Sequence, residues 1–369
     1  MHEVWSQRAD AAEGAVVDRH VRRLWGLPGT ALGVVAWPPV RRERLFLRWH
    51  YWWQAHLLDC AVDATSREPT AKRRRRLAKI ARSHRIRNIT GWTNNYYDDM
   101  AWLAIALERA QRLHAVDHRE AIHTLEMELF DAWAPQAGGG IPWRRGDNFY
   151  NAPANGPSAI VLARTGRLWR AQAMADWMDA TLKDAGSGLI LDGVRAGTLD
   201  RAVYSYCQGV VLGAETELAV HLGAPRHAER VHALTEAIEA RLTRNLVIVG
   251  GGGGDGGLFN GILARYLAFV ATTLPGDSDE DQAARSVAAS IVLASAESAW
   301  ENRLEVEDHP LFGSAWEIQA QLPGPNHGGA TVSGGSVRSS AVPERDLSVQ
   351  LGGWMLMEAA YAVSAAGFE

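Results

Sequence analysis

Two adjacent aspartates, Asp98 and Asp99, open an otherwise almost entirely apolar helical stretch, within the segment NNYYDDMAWLAIAL at residues 94–107. Acidic side chains in the first turn of a helix often do no more than accept hydrogen bonds from free backbone amides. Here the helix behind them is apolar enough to be buried, so we expect both carboxyl groups at the rim of a core. Desolvation and mutual repulsion would then push their pKa values apart.

One charged and one protonated carboxyl group can do nucleophilic and acid–base work at a sugar carbon. Retaining glycosidases hold two such groups about 5–5.5 Å apart, one to attack the sugar carbon and one to protonate the leaving oxygen. Neighbouring positions at the start of a helix fit that spacing. The residues before the pair are polar or aromatic, as in many sugar sites: Asn94, Asn95, Tyr96 and Tyr97.

Other polar clusters fall where the helix pattern places loops or the N-terminal ends of apolar helices. Asparagine amides both donate and accept hydrogen bonds, which suits sugar hydroxyls, although loops rich in turn-forming residues have the same composition. The candidates are Trp143, Asn148, Asn151 and Asn155 in 138–157, Tyr206 and Gln208 in the segment after 204, and Asp255 and Phe259 in the segment DGGLFNG.

Apolar residues recur at helical spacing through most of the chain. The predicted helices cover 4–24, 44–65, 69–84, 97–113, 117–133, 155–165, 167–184, 203–222, 226–243, 258–273, 279–299 and 346–366. About twelve helices joined by Gly- and Pro-rich loops predict an all-α fold, an (α/α)6 toroid of helical hairpins. Helices that are apolar on all sides belong inside such a ring, and amphipathic helices belong outside. In this fold the N-terminal ends of the inner helices meet at one mouth.

No linker divides the chain, so residues 1–369 are predicted to form one domain. The loop at 322–345 is predicted to be flexible from its composition. The arginine run Arg73 to Arg76 is predicted to be a solvated helix face. The best strand candidate, LVIV at 246–249, precedes a G-x-G-x-x-G pattern. The segment after it is helical, so a dinucleotide-binding unit is not indicated.

The composition narrows the classes of partner. The net charge of −4 gives no overall attraction to nucleic acid, and no run is long and apolar enough to cross a bilayer. Two cysteines, Cys60 and Cys207, are expected to be buried free thiols. His114 and His118 have no companion cluster, so we expect them at the surface and not in a metal site. The N-terminus has no signal-peptide pattern, which predicts a cytoplasmic location, with secretion as the alternative.

Five segments in order carry a resemblance to glycoside hydrolase family 76: YYDDMAWLAIAL, GGGIPW, NAPANGPSAIVLAR, YSYCQGVVLGA and DGGLFNGILARYL. The family includes bacterial endo-α-1,6-mannanases and related fungal cell-wall proteins. The resemblance extends from about residue 45 to the C-terminus, and the Asp-Asp segment is its most specific part.

The resemblance implies an (α/α)6 fold and retaining cleavage of α-1,6-linked mannan, without a cofactor. It makes Asp98 the nucleophile and Asp99 the acid/base. The other candidates would then contact a mannan-type oligo- or polysaccharide. The family pattern implied by the resemblance has Lys at the position of Asn260. The difference either alters a substrate contact at this candidate residue or is silent, and it leaves the acid pair untouched.

Three alternatives remain at this point. A transglycosylase would use the same site and pass the sugar to another sugar, and a glycan-binding protein would use it without catalysis. A helical metal-dependent prenyl or terpene enzyme also uses paired aspartates. That class needs a D-D-x-x-D box, whereas here the run is Asp98, Asp99, Met100, Ala101 and Trp102.

Overall fold

The structure is a computed structural model that describes residues 2–114, 116–324 and 328–369. Within these residues the chain forms thirteen α-helices, one of them a single short turn. They are α1 (His2–His20), α2 (Arg41–Arg44), α3 (Tyr51–Arg67), α4 (Ala71–Arg87), α5 (Tyr97–His114), α6 (Arg119–Asp131), α7 (Ala152–Arg164), α8 (Leu168–Leu182), α9 (Ser205–Leu222), α10 (Pro225–Leu242), α11 (Phe259–Thr273), α12 (Asp279–Glu301) and α13 (Leu347–Ala365).

Six helices form a closed inner ring. Helices α3, α5, α7, α9, α11 and α13 each pack against the next, and α13 returns to α3. The outer layer consists of α1, α4, α6, α8, α10 and α12, each packed on the ring; α1 comes first in the chain and packs on α13. The predicted (α/α)6 toroid is confirmed, and the predicted helices agree with the observed ones at most boundaries.

The largest boundary error lies at the start of α3. The sequence pattern predicts a helix over 44–65, but α3 begins at Tyr51 and α2 ends at Arg44. Phe46 and His50 have φ values of 55° and 48°, which interrupt a right-handed helix. The apolar pattern continues through this break because Phe46 belongs to a small separate core, so periodicity alone does not reveal it.

The strands form small antiparallel pairings. They are β1 (Val21–Arg22), β2 (Leu32–Gly33), β3 (Phe149–Asn151), β4 (Gly193–Arg195), β5 (Thr198–Asp200), β6 (Thr243–Arg244), β7 (Val247–Ile248), β8 (Leu304–Val306), β9 (His309–Leu311), β10 (Thr331–Ser333) and β11 (Ser336–Arg338). The predicted strand at 246–249 is β7, which pairs with β6 in a hairpin. The turn formed by 254–258 follows it, so the glycine pattern lies outside a strand–helix–strand unit.

Burial separates the two layers as the apolar patterns predict. Helix α13 is buried on nearly all sides, including Trp354 at 0% exposure. The ring is tight enough to need glycine: a Cβ on Gly261 of α11 would lie 2.7 Å from the Cα of Gly352 of α13. Cys60 and Cys207 are buried free thiols, as predicted.

The arginine run of α4 is only partly solvated. Arg74 and Arg75 are exposed, but Arg73 is buried and its guanidinium lies 2.6 Å from Glu13 of α1. Arg76 also pairs with Glu13. The prediction of a solvated face is therefore wrong for Arg73 and Arg76, because these two side chains join outer helices α4 and α1.

Residues 325–327 of the loop predicted to be flexible lie outside the described residues, and its later part forms the β10–β11 hairpin. Among the described helices, none combines the length and apolar character that crossing a membrane requires.

Candidate active site

A cleft of about 680 Å³ opens at the end of the ring where the inner helices begin. Residues from the N-terminal ends of α3, α5, α7, α9 and α11 line it, together with β4 and the β10–β11 hairpin. The inner helices all run in the same sense, so their first turns converge, as the toroid prediction requires. Polar groups at those first turns therefore share one space.

The acid pair lies in this cleft, in the first turn of α5. The two carboxylates have different hydrogen-bond partners. Asp98 accepts two N–H bonds, from the Trp143 indole at 2.8 Å and from its neighbour's backbone amide at 2.8 Å. Asp99 accepts from the side-chain amide of Asn94. Asp98 thus has more donors that stabilise a negative charge.

Burial raises the pKa of both carboxyl groups. The pKa of Asp98 rises to about 7, with desolvation as the main cause and the Asp99 amide and Trp143 indole acting against it. The pKa of Asp99 rises well above its ordinary value because desolvation is reinforced by the charge of Asp98. Two interacting carboxyl groups lose their protons in separate steps. The arrangement favours ionised Asp98 beside protonated Asp99.

Asn94 connects the loop to the helix start. Its side-chain oxygen accepts the backbone N–H of Tyr96 at 2.8 Å, a local turn that fixes the direction of the chain. Its amide nitrogen is then free to donate to Asp99. Asn94 therefore positions Asp99 rather than facing the cleft itself.

Aromatic rings form the walls. Tyr206 and Phe259 stack with ring centroids 3.9 Å apart and planes within 9°. Across the acid pair, Trp143 meets Tyr96 edge-on at 5.2 Å. Such flat apolar faces between polar groups suit a ligand that has both C–H faces and hydroxyls.

Asp255 links three elements around the cleft. One carboxylate oxygen accepts the indole N–H groups of Trp52 and Trp53, each at 2.9 Å. The other accepts the backbone N–H of Val337 in β11 at 2.6 Å. Asp255 lines the cleft, as predicted, and it also holds the β10–β11 hairpin against the starts of α3 and α11.

The tip of the β10–β11 hairpin lies against Tyr96 and Trp143, next to the acid pair. Gly335 at its tip has φ 100°, and a Cβ there would lie 2.6 Å from the Tyr96 hydroxyl and 3.0 Å from the Trp143 ring. Only glycine allows this close approach without displacement. The hairpin therefore forms one wall of the cleft.

Several sequence candidates are brought together in the cleft. The predicted residues that line it, besides the acid pair, are Tyr96, Trp143, Asn151, Tyr206, Asp255 and Phe259. Asn151 also caps α7, since its side chain accepts the N–H of Ala154 at 3.2 Å.

Asn155 and Gln208 do not reach the cleft, so the prediction that they contact a ligand is corrected. Both are 0% exposed. Asn155 exchanges hydrogen bonds with the backbone of Ile141 at 2.8 and 2.9 Å, and Gln208 does so with Ile190 at 2.7 and 2.8 Å. Each amide fixes a site loop from behind, because a buried side-chain amide must satisfy its donors and acceptor.

Four other candidates lie beside the cleft rather than in its lining. Tyr97 is nearly buried under the Arg145 guanidinium, and the exposed Asn95 contributes its backbone carbonyl to the amide of the same arginine. Asn148 is exposed and accepts from Arg195 at 2.8 Å. Asn260 is 7% exposed and accepts from Ser205 at 2.6 Å, so it joins the starts of α9 and α11.

Sequence reasoning missed several cleft residues. They are His50, Tyr51, Trp52, Trp102, Phe149, Asp192, Arg195, Asp200, Tyr204 and the hairpin from Val332 to Arg338. Tyr51 and Trp52 begin the apolar helix α3, but the predicted helix started at residue 44, so the rule that found the other clusters did not point to them. Asp192 and the hairpin carry no comparable signal, because tertiary folding alone brings them to the mouth.

Among the described residues there is no group of three or more His, Cys, Asp or Glu side chains arranged to hold a metal ion.

The fold and the adjacent cleft carboxyls define a helical-toroid protein with a glycosidase-like site, and comparison with known proteins agrees. The model of glycosyl hydrolase family 76 matches residues 8–346. The chain belongs to this family and is a glycoside hydrolase. No curated protein sequence matches the chain.

Solved structures show the same architecture. The GH76A α-1,6-mannanase from Salegentibacter sp. HEL1_6 is 27% identical, with 96% of this chain and 98% of that chain covered at a TM-score of 0.81. An inactive variant of that enzyme, with two consecutive aspartates changed to asparagine, is known in complex with α-1,6-mannotriose; it is 27% identical over 97% of this chain and 99% of its own, with a TM-score of 0.81. The Lin0763 protein from Listeria innocua shares the fold at 23% identity, with 99% of both chains covered and a TM-score of 0.82.

Proposed function

We propose that this glycoside hydrolase cleaves α-1,6-mannosidic linkages in mannan-type chains with retention of configuration, through a covalent glycosyl-enzyme intermediate. Asp98 is the nucleophile and Asp99 the acid/base. The observation that carries the assignment is the unequal surroundings of two adjacent cleft carboxyls: Asp98 accepts two N–H bonds, whereas the charge of Asp98 raises the pKa of Asp99.

The substrate class is supported by the relatives. The Salegentibacter enzyme is described as an α-1,6-mannanase, and its inactive variant with two consecutive aspartates replaced holds α-1,6-mannotriose. Asp98 and Asp99 are also consecutive. They lie in a cleft of about 680 Å³, a volume typical of ligand-binding pockets. The stacked Tyr206–Phe259 pair and the Trp143 ring offer faces for sugar rings.

In the first step, an Asp98 oxygen forms a bond to the anomeric carbon while the glycosidic C–O bond breaks. Asp99 gives its proton to the departing oxygen. In the second step, Asp99, now ionised, takes a proton from water, whose oxygen attacks the same carbon and releases Asp98. Trp143 and the Asp99 amide hold Asp98 in place, and Asn94 holds Asp99.

The direct test is reducing-sugar release from linear α-1,6-mannan by the wild type and by Asp98→Asn and Asp99→Asn, with folding checked by circular dichroism. Each variant should lose on the order of 10⁴-fold in kcat. Asp200→Asn is the matched control: it removes a carboxylate from the exposed rim of the same cleft and should lose no more than a few-fold. A wild type that binds mannan without cutting or transferring it would contradict the proposal.

A second measurement separates the two roles. An aryl mannoside with a good leaving group needs no proton in the first step, so Asp99→Asn should recover much of its loss on that step while Asp98→Asn should not. NMR of the first product formed should show the anomeric configuration of the substrate. An inverted product would contradict the covalent intermediate. The ratio of transfer to hydrolysis products distinguishes a transglycosylase.

A further inference from the structure

The positive charge of this chain is concentrated in one part of it. Residues 19–97 contain 17 Lys and Arg but four Asp and Glu, although the whole chain has a net charge of −4. Three of those four acids are buried or nearly so and paired: Glu43 with Arg345, and Asp59 and Asp63 with Arg109. Eleven of the 17 basic residues are exposed, against one exposed acid, Glu68, so the surface of this part is strongly basic.

Within this part, two loops pack on the C-terminal half of α4. The loop 24–31 is held by the Ala31 N–H, which donates to Ser83 of α4 at 2.7 Å. The segment 40–48, a loop that includes the short helix α2, is held by Arg87, which donates to the Phe46 carbonyl at 2.8 Å. The loops also contact each other, since the Trp25 indole donates to the Leu45 carbonyl at 2.9 Å. Together they form one continuous surface.

This surface exposes large apolar side chains among exposed arginines. The apolar residues are Trp25, Leu27, Val40, Leu45, Leu47 and Ile89, the last two 62% and 85% exposed. The exposed arginines are Arg22, Arg23, Arg41, Arg42, Arg44, Arg82 and Arg85. None of these seven guanidinium groups pairs with a carboxylate anywhere in 2–114, 116–324 or 328–369. We name these thirteen residues the basic apolar surface.

We propose that the basic apolar surface binds the protein peripherally to a bilayer that contains anionic phospholipid. Guanidinium groups at the rim attract lipid phosphates, and each basic residue near such a membrane strengthens binding. The apolar side chains then enter the boundary between headgroups and acyl chains. A soluble polyanion would explain the arginines alone, but it would leave Leu47 and Ile89 exposed to water.

The position of this surface gives the binding a direction. Leu47 precedes His50, which lines the cleft, by three residues. Arg48 donates to the carbonyl of Ala330, the residue before the β10–β11 hairpin, at 2.8 Å. The surface therefore borders the mouth of the cleft, and a protein bound through it holds that mouth beside the lipid headgroups. The binding itself does not depend on which glycan is cleaved.

The test is flotation of the full chain with vesicles of phosphatidylcholine containing 30% phosphatidylglycerol, compared with pure phosphatidylcholine. In the anionic vesicles about one lipid in three carries a negative charge. We expect binding to the anionic vesicles that weakens with salt. Arg41→Gln/Arg42→Gln/Arg44→Gln should reduce binding on the order of 100-fold. Leu47→Ser/Ile89→Ser should reduce it by at least about 10-fold.

Matched controls come from elsewhere on the same chain. Arg74→Gln/Arg75→Gln removes exposed charges at the opposite end of α4, and Ile318→Ser removes an apolar side chain that is 62% exposed. Both should bind like the wild type, and every variant should keep the wild-type activity on a soluble substrate. The proposal is overturned by three outcomes: no binding to anionic vesicles, equal losses in the controls, or charge-dependent binding that Leu47→Ser/Ile89→Ser leaves unchanged. The last outcome would indicate a polyanion surface.

Discussion

The two ends of the helical ring treat buried carboxyl groups in opposite ways. At the mouth, where the inner helices begin, Asp98, Asp99, Asp192 and Asp255 line the cleft, and their hydrogen bonds in the described structure come from indoles, amides and a thiol. At the other end, a cavity of about 180 Å³ is lined by Asp59, Asp63 and Glu358 together with Arg109, Arg164 and Arg265.

The carboxylates of the far cavity are paired with guanidinium groups. Asp63 accepts from Arg109 at 2.5 Å and from Arg265 at 2.6 Å, and Asp59 pairs with the same two arginines. Glu358 pairs with Arg67 at 3.0 Å. Burial still raises the pKa of Asp63 to about 6 despite Arg109.

Desolvation is therefore common to both ends, and the guanidinium partners are the difference. Paired acids join helices of the ring through their guanidinium partners, whereas the acids at the mouth have raised pKa values and no guanidinium partner, so their oxygen atoms stay available for chemistry. The unpaired acids cost stability, which is the usual trade-off at an active site.

The largest expected effect on stability is at the far cavity. Arg109→Leu leaves Asp59 and Asp63 with one guanidinium group fewer, so unfolding in urea should show a loss of about 3–5 kcal/mol. Arg226→Leu is the control, because its guanidinium is half-exposed and 3.5 Å from Asp176, and its loss should stay below about 1 kcal/mol. Equal losses would show that the buried pairs contribute no more than surface pairs.

At the mouth, replacing an acid should stabilise the fold instead of destabilising it. Asp99→Asn should stabilise the fold by roughly 1–2 kcal/mol near pH 7. This value is reduced for solvent screening, because the side chain partly faces the cleft. The pKa of Asp99 is raised in the folded state. The unfolded chain loses this proton above about pH 4 while the folded chain keeps it, so stability falls as pH rises from there.

The gain from Asp99→Asn should therefore vanish near pH 4 and grow towards neutral pH. Asp59→Asn is the counterpart at the far cavity and should destabilise the fold, because it leaves Arg109 and Arg265 without one of their anions. A destabilised Asp99→Asn protein at pH 7 would break the comparison.

The pH dependence of cleavage should reflect the ionisation of the same two carboxyl groups. Asp98 must be ionised, so kcat/KM should fall about tenfold per pH unit below the pKa of about 7. Asp99 must be protonated, so activity should fall again at a higher pH. With the aryl mannoside, the fall at high pH should weaken for the first step. A profile that is flat through pH 7 would contradict the assignment.

The smallest expected effect is at the hairpin tip. Gly335→Ala places a Cβ against the Tyr96 hydroxyl and should lift the hairpin, raising KM a few-fold while kcat changes less. Gly334→Ala is the control, since its φ is also positive but its Cβ meets open space. Similar KM values for the two variants would show that displacing the hairpin does not affect substrate binding in the cleft.

The sequence pointed to site residues most clearly where a polar or aromatic residue stands at the beginning of an apolar helix. Asp98, Tyr206 and Phe259 could be found because each stands at the beginning of an apolar helix. Asn155 and Gln208 satisfy the same pattern but turn to backbone groups of neighbouring loops, so residue type did not distinguish contact from support. Asp192 and the β10–β11 hairpin could not be found, since no local pattern marks them.

The sequence by itself determined the helical hairpins, the order of inner and outer layers and the position of the acid pair, because these follow from apolar periodicity along single helices. Only the tertiary structure decided which carboxyls stay unpaired. Asp98 and Asp59 both lie on inner helices, yet the fold places Trp143 beside one and Arg109 beside the other. Those partners come from distant parts of the chain, and their charge separates a reactive acid from a structural one.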